Sequence, residues 1–404
     1  MRPFKLEKGC LLRVAIYITE DRKYLFTDFH HILADGNSYD IIFEDINSAY
    51  MGKKLKKESY TGFDAALDEE QQMKEGKYKK AEKYYDSIFE GVETESLPLP
   101  DRNGEIPERG YLSKEMDTRE SVVLSACEKL GVTPNILFTG LFGVLMTRYS
   151  NSEDSLFATI YNGRNDSRLE NTVCMLVKTL PVYCSCDPKA TIQTYMTELS
   201  EQLLSSMAND IFPFSDICAK YGFSSDLVFA YQAELSDDYP IGDTIARGHD
   251  LSLDISKMPL LIQVREYDHK YVLTAEYRSD KYSEEFVKGI LDAYEAAMDS
   301  MLKAKYISEI SILSGNAAEK IAEFNHTAHE YDRSQTISDM FDEMVEIIPD
   351  HTAVVFKDRK YTYKELDEIS DRLGKYIVSQ GIGTEDVVSI LIPRCEYMAI
   401  APMA

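Results

Sequence analysis

Cationic charge is scarce in this sequence, and its scarcity excludes a class of function. Lys and Arg number 44 against 69 Asp and Glu, a formal net charge of −25 at pH 7. Binding to a phosphate backbone or an anionic membrane rests on clustered Lys and Arg, so neither is an expected partner. Long apolar runs are lacking as well: none approaches the roughly 18 uncharged apolar residues of a membrane helix. The start, Met1-Arg2-Pro3-Phe4-Lys5, has no apolar signal-peptide core. The compartment expected by default is the cytoplasm. Cysteines at 10, 127, 174, 184, 186, 218 and 395 form no Cys-x-x-Cys pair, which argues against a zinc ribbon or a disulfide framework. Cys184 and Cys186 share one face of an expected strand and read as reduced core thiols. His326 and His329 have no third ligand nearby, so no metal site is expected. There is no internal repeat and no low-complexity tract.

What is present is a chain of 404 residues, long enough to bury more than one core. Its acid is spread along expected helices such as Asp64 to Glu82 and Ser283 to Lys303 and reads as solvated surface. The first region, Met1 to about Gly91, holds an expected strand from Leu12 to Thr19, a second from Tyr24 to His31, and two helices. That is too little to cover both faces of a sheet, so it reads as half of a domain. A linker, Leu97-Pro98-Leu99-Pro100-Asp101, leads to a mixed α/β layer. Its expected helices lie near Arg119 to Leu130, from Thr133-Pro134 to about Tyr149, near Ile192 to Met207 and from Ser283 to about Lys303. Its expected strands are Leu156 to Tyr161, Leu176 to Cys184, Leu227 to Gln232, Leu260 to Arg265 and Tyr271 to Tyr277. After a polar connector, roughly Ser314 to Ser334, come a helix from Ile337 to Ile348, strands at Ala353 to Phe356 and Val387 to Ile392, and a helix from Tyr363 to Gln380 stopped by Gly381. The chain ends in mid-pattern, and both termini read as cuts through domains.

The most informative stretch is His30-His31-Ile32-Leu33-Ala34-Asp35-Gly36. The strand before it alternates, with Leu25, Thr27, Phe29 and His31 on one face and Tyr24, Phe26, Asp28 and His30 on the other. Only one histidine can then point into a given cavity, and alternation assigns His31. Asn37 or Ser38 can cap a following helix whose apolar positions Tyr39, Ile42, Phe43, Ile46, Ala49 and Tyr50 recur at three- and four-residue steps, ending near Gly52. The histidines thus stand at a strand-to-helix corner.

The His-His-x-x-x-Asp-Gly run resembles the active-site motif of condensation domains of nonribosomal peptide synthetases, in the chloramphenicol-acetyltransferase-like superfamily. Other stretches agree in order. Arg2-Pro3-Phe4 with Leu11-Leu12-Arg13 resembles the segment before the histidines, and Tyr60-Thr61-Gly62-Phe63-Asp64 the one after. Asn162-Gly163-Arg164 and Val173-Cys174-Met175-Leu176-Val177-Lys178-Thr179 are similar to a Gly-Arg strand end and a Val-Gly-x-Phe-Val-Asn-Thr motif, with Cys174, Leu176 and Lys178 departing from the usual Gly, Phe and Asn. Phe212-Pro213-Phe214 matches a Tyr-Pro-Phe core. Asp254-Ile255-Ser256-Lys257-Met258-Pro259-Leu260 is similar to the last motif, with Leu253 where Arg is usual. A second resemblance, Ile348-Pro349-Asp350, Ala353-Val354-Val355 and Tyr361-Thr362-Tyr363-Lys364-Glu365-Leu366, is to the opening of an adenylation domain, whose phosphate-gripping loop would lie beyond residue 404. No ATP site is therefore expected here.

The resemblance implies an α/β (α+β) architecture: a two-lobed condensation fold with an incomplete first lobe, plus the N-terminal fragment of an adenylate-forming domain. The expected divisions are 1–96 for the partial first lobe, 97–313 for the second, 314–334 for a linker and 335–404 for the adenylation fragment. The family's first two motifs are absent from the front. The implied reaction joins a donor acyl or peptidyl thioester to the amine of an acceptor aminoacyl thioester. Both are carried on phosphopantetheine arms of upstream and downstream peptidyl carrier domains, with no cofactor bound to this chain. His31 has the type and placement to accept the amine proton or to hold the amine. A typical α-amino group with a pKa near 8 is already neutral to roughly a tenth at pH 7, so positioning matters as much as basicity. Asp35 could be a second acid-base group, but the resemblance implies an ion pair that holds the corner, and Arg164 is the candidate partner. Gly36 leaves room for a backbone N–H near the substrate oxygen, and His30 is expected to be packed or hydrogen-bonded inside the lobe. Phe29, Phe212 and Phe214 read as core. The alternatives are a noncatalytic carrier-docking platform and an epimerising relative; heterocyclising relatives carry aspartate in place of His30.

Overall fold

A helix that is apolar all round must be buried on every side, and Pro134–Ser150 is such a helix. Residues 136 to 147 are all buried. The computed structural model describes residues 3–93, 96–224, 226–233, 238–249 and 255–404, in two units, Met1–Ile321 and Ala322–Ala404. In the first unit, strands β1 (Leu12–Ile18) and β2 (Lys23–Phe29) precede helices α1 (Gly36–Tyr50), α2 (Gly62–Lys74) and α3 (Lys77–Phe89). Then come β3 (Arg109–Glu115), α4 (Glu120–Leu130), α5 (Pro134–Ser150), β4 (Asp154–Tyr161), β5 (Lys178–Ser185), α6 (Ile192–Ala208) and α7 (Phe214–Tyr221). The run closes with β6 (Leu227–Gln232), β7 (Asp238–Ile241), β8 (Thr244–Arg247), β9 (Leu260–Tyr267), β10 (Lys270–Arg278) and α8 (Glu284–Met301).

Six strands form one mixed sheet in the order β3-β10-β9-β6-β4-β5. The two central pairings, β9 with β6 and β6 with β4, are parallel, and the outer ones are antiparallel. Helix α5 packs on this sheet between α6 and α8. Phe142 of α5 stacks on Phe229 of β6 at 4.8 Å between ring centroids and meets Phe157 of β4 edge-on at 4.9 Å. The start of α5 is set as its sequence expects: the Thr133 hydroxyl accepts from the Ile136 N–H, and Pro134 takes the first helical position, where no N–H is needed. Ser283 caps α8 in the same way, through the Phe286 N–H at 3.1 Å. Cys184 and Cys186 are buried in this core, and burial pushes the Cys184 thiol up to about 12.

The acidic stretch from Asp64 to Glu82, expected as one helix, is two. Gly76 sits at φ 86°, a conformation that ends α2 and that β-carbon-bearing residues rarely adopt. β1 and β2 form a two-stranded antiparallel sheet, and among the described residues neither pairs with another strand. Val14, Ile16 and Ile18 on β1 are exposed. β3 and the hairpin β7–β8 were not foreseen, the latter because its two strands are only four residues each.

In the remaining stretch a helix α9 (Gly315–Phe324) occupies part of the expected polar connector. The second unit contains α10 (Ile337–Ile347), the hairpin β11 (Thr352–Phe356) with β12 (Arg359–Thr362), α11 (Tyr363–Ser379) and α12 (Tyr397–Met403). α10 and α11 begin with capping boxes, Thr336 with Asp339 and Thr362 with Glu365. The strand expected at Val387 to Ile392 is not formed: Val387 and Leu391 are almost fully exposed, and the segment pairs with no other strand of the described residues. Among the described residues no single helix is long and apolar enough to cross a membrane.

Candidate active site

The histidine run does not continue the strand as the alternation argument assumed. β2 ends at Phe29; the His30 N–H still bonds the Leu11 carbonyl at 2.9 Å, but the His30 carbonyl accepts from the Leu33 N–H, also at 2.9 Å, so the chain turns there. The turn, rather than strand alternation, separates the two rings, and it fixes them in opposite tautomers. His31 Nδ1 lies 2.9 Å from the Ala34 carbonyl. A carbonyl only accepts, so Nδ1 carries the proton and the neutral ring keeps its lone pair on Nε2. His30 Nδ1 instead accepts the Ile32 N–H at 3.1 Å, which uses its lone pair and puts the proton of the neutral ring on Nε2. His30 is half-buried, edge-on to Phe4 at 5.9 Å, while His31 is exposed. Phe4 in turn lies under the Arg13 guanidinium, and Arg13 pairs with Asp28 at 2.8 Å across the β1–β2 ladder. Arg2 of that motif lies outside the described residues, as do Leu253 and Asp254 of the last one.

The cap of α1 is Asp35, in place of Asn37 or Ser38. Its Oδ1 accepts the Ser38 N–H at 2.9 Å and the Ser38 hydroxyl at 2.7 Å. The same oxygen accepts from Arg164 Nη2 at 3.0 Å, and Oδ2 accepts the Leu176 N–H at 3.0 Å. Asp35 is fully buried and Arg164 nearly so. Burial alone would raise the Asp35 pKa, but the hydrogen bonds from Leu176, Ser38 and Arg164 outweigh it and the net shift is downward. The carboxylate therefore stays ionised and its oxygens are fully engaged. This suits an anchor better than a proton-transfer group, so the acid-base role considered for Asp35 gives way to a positioning one.

Arg164 is itself held by the chain around it: Nη1 donates to the carbonyls of Leu169 and Thr172, at 2.6 and 2.9 Å. Its position depends on Gly163, at φ 67°, where an added Cβ would fall 1.9 Å from the Leu176 carbonyl oxygen. Residues 162 to 177 thus form a strap tied to the histidine corner. Ser38, one of the two caps that the sequence allows for α1, is the hub of that tie. Its oxygen accepts from Arg164 Nη2 and from the Cys174 N–H, each at 3.3 Å, and lies 3.0 Å from the Cys174 carbonyl. The signal that could have found it is the Asp-x-x-Ser spacing, which puts a hydroxyl at the third helical position facing its own cap. Lys178, which stands where Asn is usual, pairs with Glu69 of α2 at 3.1 Å and Asp210 at 3.3 Å.

Gly36 is the first residue of α1, and an added Cβ there would meet open space. Nothing among the described residues requires glycine at that position. Phe212 is buried, whereas Phe29 and Phe214 are half-buried, Phe29 edge-on to Tyr39.

Comparison with known proteins agrees with this geometry. Residues 1–322 match the model of the condensation domain, and residues 341–404 match that of AMP-binding enzymes. Tyrocidine synthase 2 of Brevibacillus parabrevis is 26% identical over 425 residues, covering 100% of this chain. The chain spans only 12% of that relative's length. Among solved structures, the first condensation domain of the calcium-dependent antibiotic synthetase, in complex with a substrate analogue, aligns over 77% of this chain and 72% of its own, with a TM-score of 0.62 at 15% identity. A four-domain nonribosomal peptide synthetase bound to AMP and glycine aligns over 95% of this chain and 32% of its own, with a TM-score of 0.67 at 17% identity. With 322 of its residues inside the family model and its histidine corner strapped by Asp35 and Arg164, the chain belongs to the condensation-domain family of nonribosomal peptide synthetases, followed by the start of an AMP-binding domain.

Proposed function

We propose that this chain forms an amide bond between a donor acyl or peptidyl thioester and the amine of an acceptor aminoacyl thioester. Both are presented on phosphopantetheine arms by carrier domains of a larger synthetase. The observation that carries the reading is the tautomer of His31: with Nδ1–H committed to the Ala34 carbonyl, the neutral ring keeps Nε2 unprotonated on an exposed residue. That atom can accept a hydrogen bond, and then a proton, from the attacking amine. As nitrogen attacks the thioester carbon, the tetrahedral adduct carries a cationic amine and an oxyanion. Transfer of the amine proton to Nε2 relieves the first charge; as the carbonyl re-forms the carbon–sulfur bond breaks, and the departing thiolate of the donor arm takes that proton from the imidazolium and leaves as a thiol.

His31 is the group in contact with substrate. Asp35 and Arg164 position it through the helix cap and the strap, and His30 supports the turn. The open space above Gly36 leaves room for a substrate oxygen near the first turn of α1, whose N–H groups have no partner within the helix. The AMP-binding start at residues 341–404 favours condensation over an epimerising relative, which resembles the end of a module. Single-turnover transfer between loaded carriers, compared for the wild type and His31→Ala, tests the reading. Retention of the wild-type rate by a folded His31→Ala variant would refute it.

A further inference from the structure

Against its acidic composition the chain carries four lysines in five residues, Lys53-Lys54-Leu55-Lys56-Lys57 between α1 and α2, a denser run than Lys77, Lys79, Lys80 and Lys83 on α3. All five residues are exposed, and none of the four lysines is paired with a carboxylate of the described residues. The rest of the chain is therefore more negative than the whole.

Both ends of this run are fixed. At the far end of α1, Asn47 accepts the Gly242 N–H at 2.9 Å, and Phe43 stacks on Tyr239 of β7 at 4.2 Å. At the other end, the Glu58 carboxylate accepts the Val173 N–H at 3.1 Å, and the Tyr60 carbonyl accepts the Thr172 hydroxyl at 2.8 Å. Val173 is three residues from Leu176, whose N–H holds Asp35. The chain thus runs out along α1 for about 22 Å, at about 1.5 Å per residue, and by Glu58 and Tyr60 it has reached the strap. The Gly52 and Lys53 N–H groups bond back to the Ala49 and Ser48 carbonyls, which closes α1, and residues 53–58 then run to the strap with neither helix nor strand. Lys53 to Lys57 thus lie between the closed end of α1 and the residues tied to the strap, Glu58 and Tyr60.

We propose that Lys53, Lys54, Lys56 and Lys57 are the docking row for an acidic protein face, that of a carrier domain delivering substrate to His31, an inference that rests on the reaction proposed above. Four separate exposed cations complement several carboxylates on an acidic protein face, whereas a single phosphodiester is a point charge. On a chain whose formal net charge is −25, an acidic partner is repelled by the sum of the other charges, so this cluster of cations favours one landing site.

The test uses the full chain and an isolated carrier domain of net negative charge, in its apo form and with the arm attached. The variant K53Q/K54Q/K56Q/K57Q is compared with K129E/K303E, which changes net charge by the same amount at exposed lysines elsewhere. At low salt the first should weaken binding of both carrier forms about tenfold or more, the gap closing as salt is raised to about 0.5 M, where screening is nearly complete. The control should stay within about twofold of wild type. In transfer assays the lysine variant should raise KM for the carrier and leave kcat unchanged, the reverse of His31→Ala. Wild-type affinity in the lysine variant overturns the proposal. So does a lysine effect confined to the arm-bearing carrier, which would mean that the row reads the arm's phosphate. Lysine-dependent binding of both carrier forms without any His31-dependent transfer keeps the docking row and removes the reaction.

Discussion

Asp35 and Arg164, separated by 129 positions in the chain, share a 3.0 Å ion pair from which water is excluded. Taking two charges out of water costs several kcal/mol per ion, and only complete hydrogen bonding makes such a pair tolerable. Here Asp35 accepts four hydrogen bonds, while Arg164 Nε is buried without a partner among the described residues. Breaking one side should therefore be more damaging than its surface-pair equivalent. Arg164→Met is expected to lower stability by about 3–5 kcal/mol, because it leaves Asp35 buried and uncompensated. Arg164→Lys should recover little, since one ammonium cannot reach Asp35 and two carbonyls in the planar arrangement of a guanidinium. Denaturant unfolding of the three proteins checks this. A loss below about 1 kcal/mol for Arg164→Met, the scale of an exposed pair, would remove the pair from the strap.

The Asp35 carboxyl titrates below its ordinary value in the folded protein. A group depressed on folding adds stability that is fully present above its unfolded pKa, about 3.9 for Asp, and is lost as pH falls through the folded one. The stability gap between wild type and Asp35→Asn should accordingly be constant from about pH 5 to 7 and shrink below about pH 4. Equilibrium unfolding at a series of pH values reads it out; a gap that widens in acid would mean that the carboxyl is raised rather than lowered.

The two histidines should separate in kinetics. His31→Ala is expected to slow single-turnover transfer by about 10² to 10⁴, the usual worth of a positioned acid-base group, with carrier affinity nearly unchanged. His30→Ala, which removes an acceptor for the Ile32 N–H, should cost far less in rate and show mainly as a lower melting temperature. Equal rate losses in two well-folded variants would contradict the tautomer assignment.

Gly163→Ala tests the strap without touching a charge. The Cβ would collide with the Leu176 carbonyl, and a residue other than glycine in this backbone region costs about 1–3 kcal/mol before any collision is counted. The expected result is a lower melting temperature together with a transfer rate reduced more than stability alone explains, because Leu176 and Arg164 both move relative to Asp35. An unchanged rate and melting temperature would show that the strap does not position the corner.

Two buried tyrosines give an opposed pair of stability predictions. Tyr294 donates to the Phe138 carbonyl at 2.8 Å, so Tyr294→Phe should cost about 1 kcal/mol. The Tyr271 hydroxyl is buried with no hydrogen-bond partner among the described residues, so Tyr271→Phe should be neutral or stabilising. Thermal unfolding distinguishes them, and a Tyr271→Phe loss as large as that of Tyr294→Phe would point to an ordered water on that hydroxyl.

Much of this protein is determined by local sequence. The Thr133-Pro134 start of α5, the Ser283 cap of α8 and the Thr362 capping box of α11 each satisfy backbone groups within four residues, so they are legible without knowing the rest of the chain. The order of the His30-His31, Gly163-Arg164 and Val173 to Thr179 motifs likewise identified the family, and the Asp35 and Arg164 partnership followed from it. Tertiary structure decided what depends on contacts between distant segments. Whether His31 lies on a strand or past its end was set by the His30 carbonyl closing a turn onto Leu33. The cap of α1 was set by a carboxylate that also had to meet Arg164 and the Leu176 N–H, which no local rule can weigh. The segment from Val387 to Ile392 has the composition of a strand and remains unpaired among the described residues, because a strand exists only where a neighbour offers its ladder of N–H and carbonyl groups.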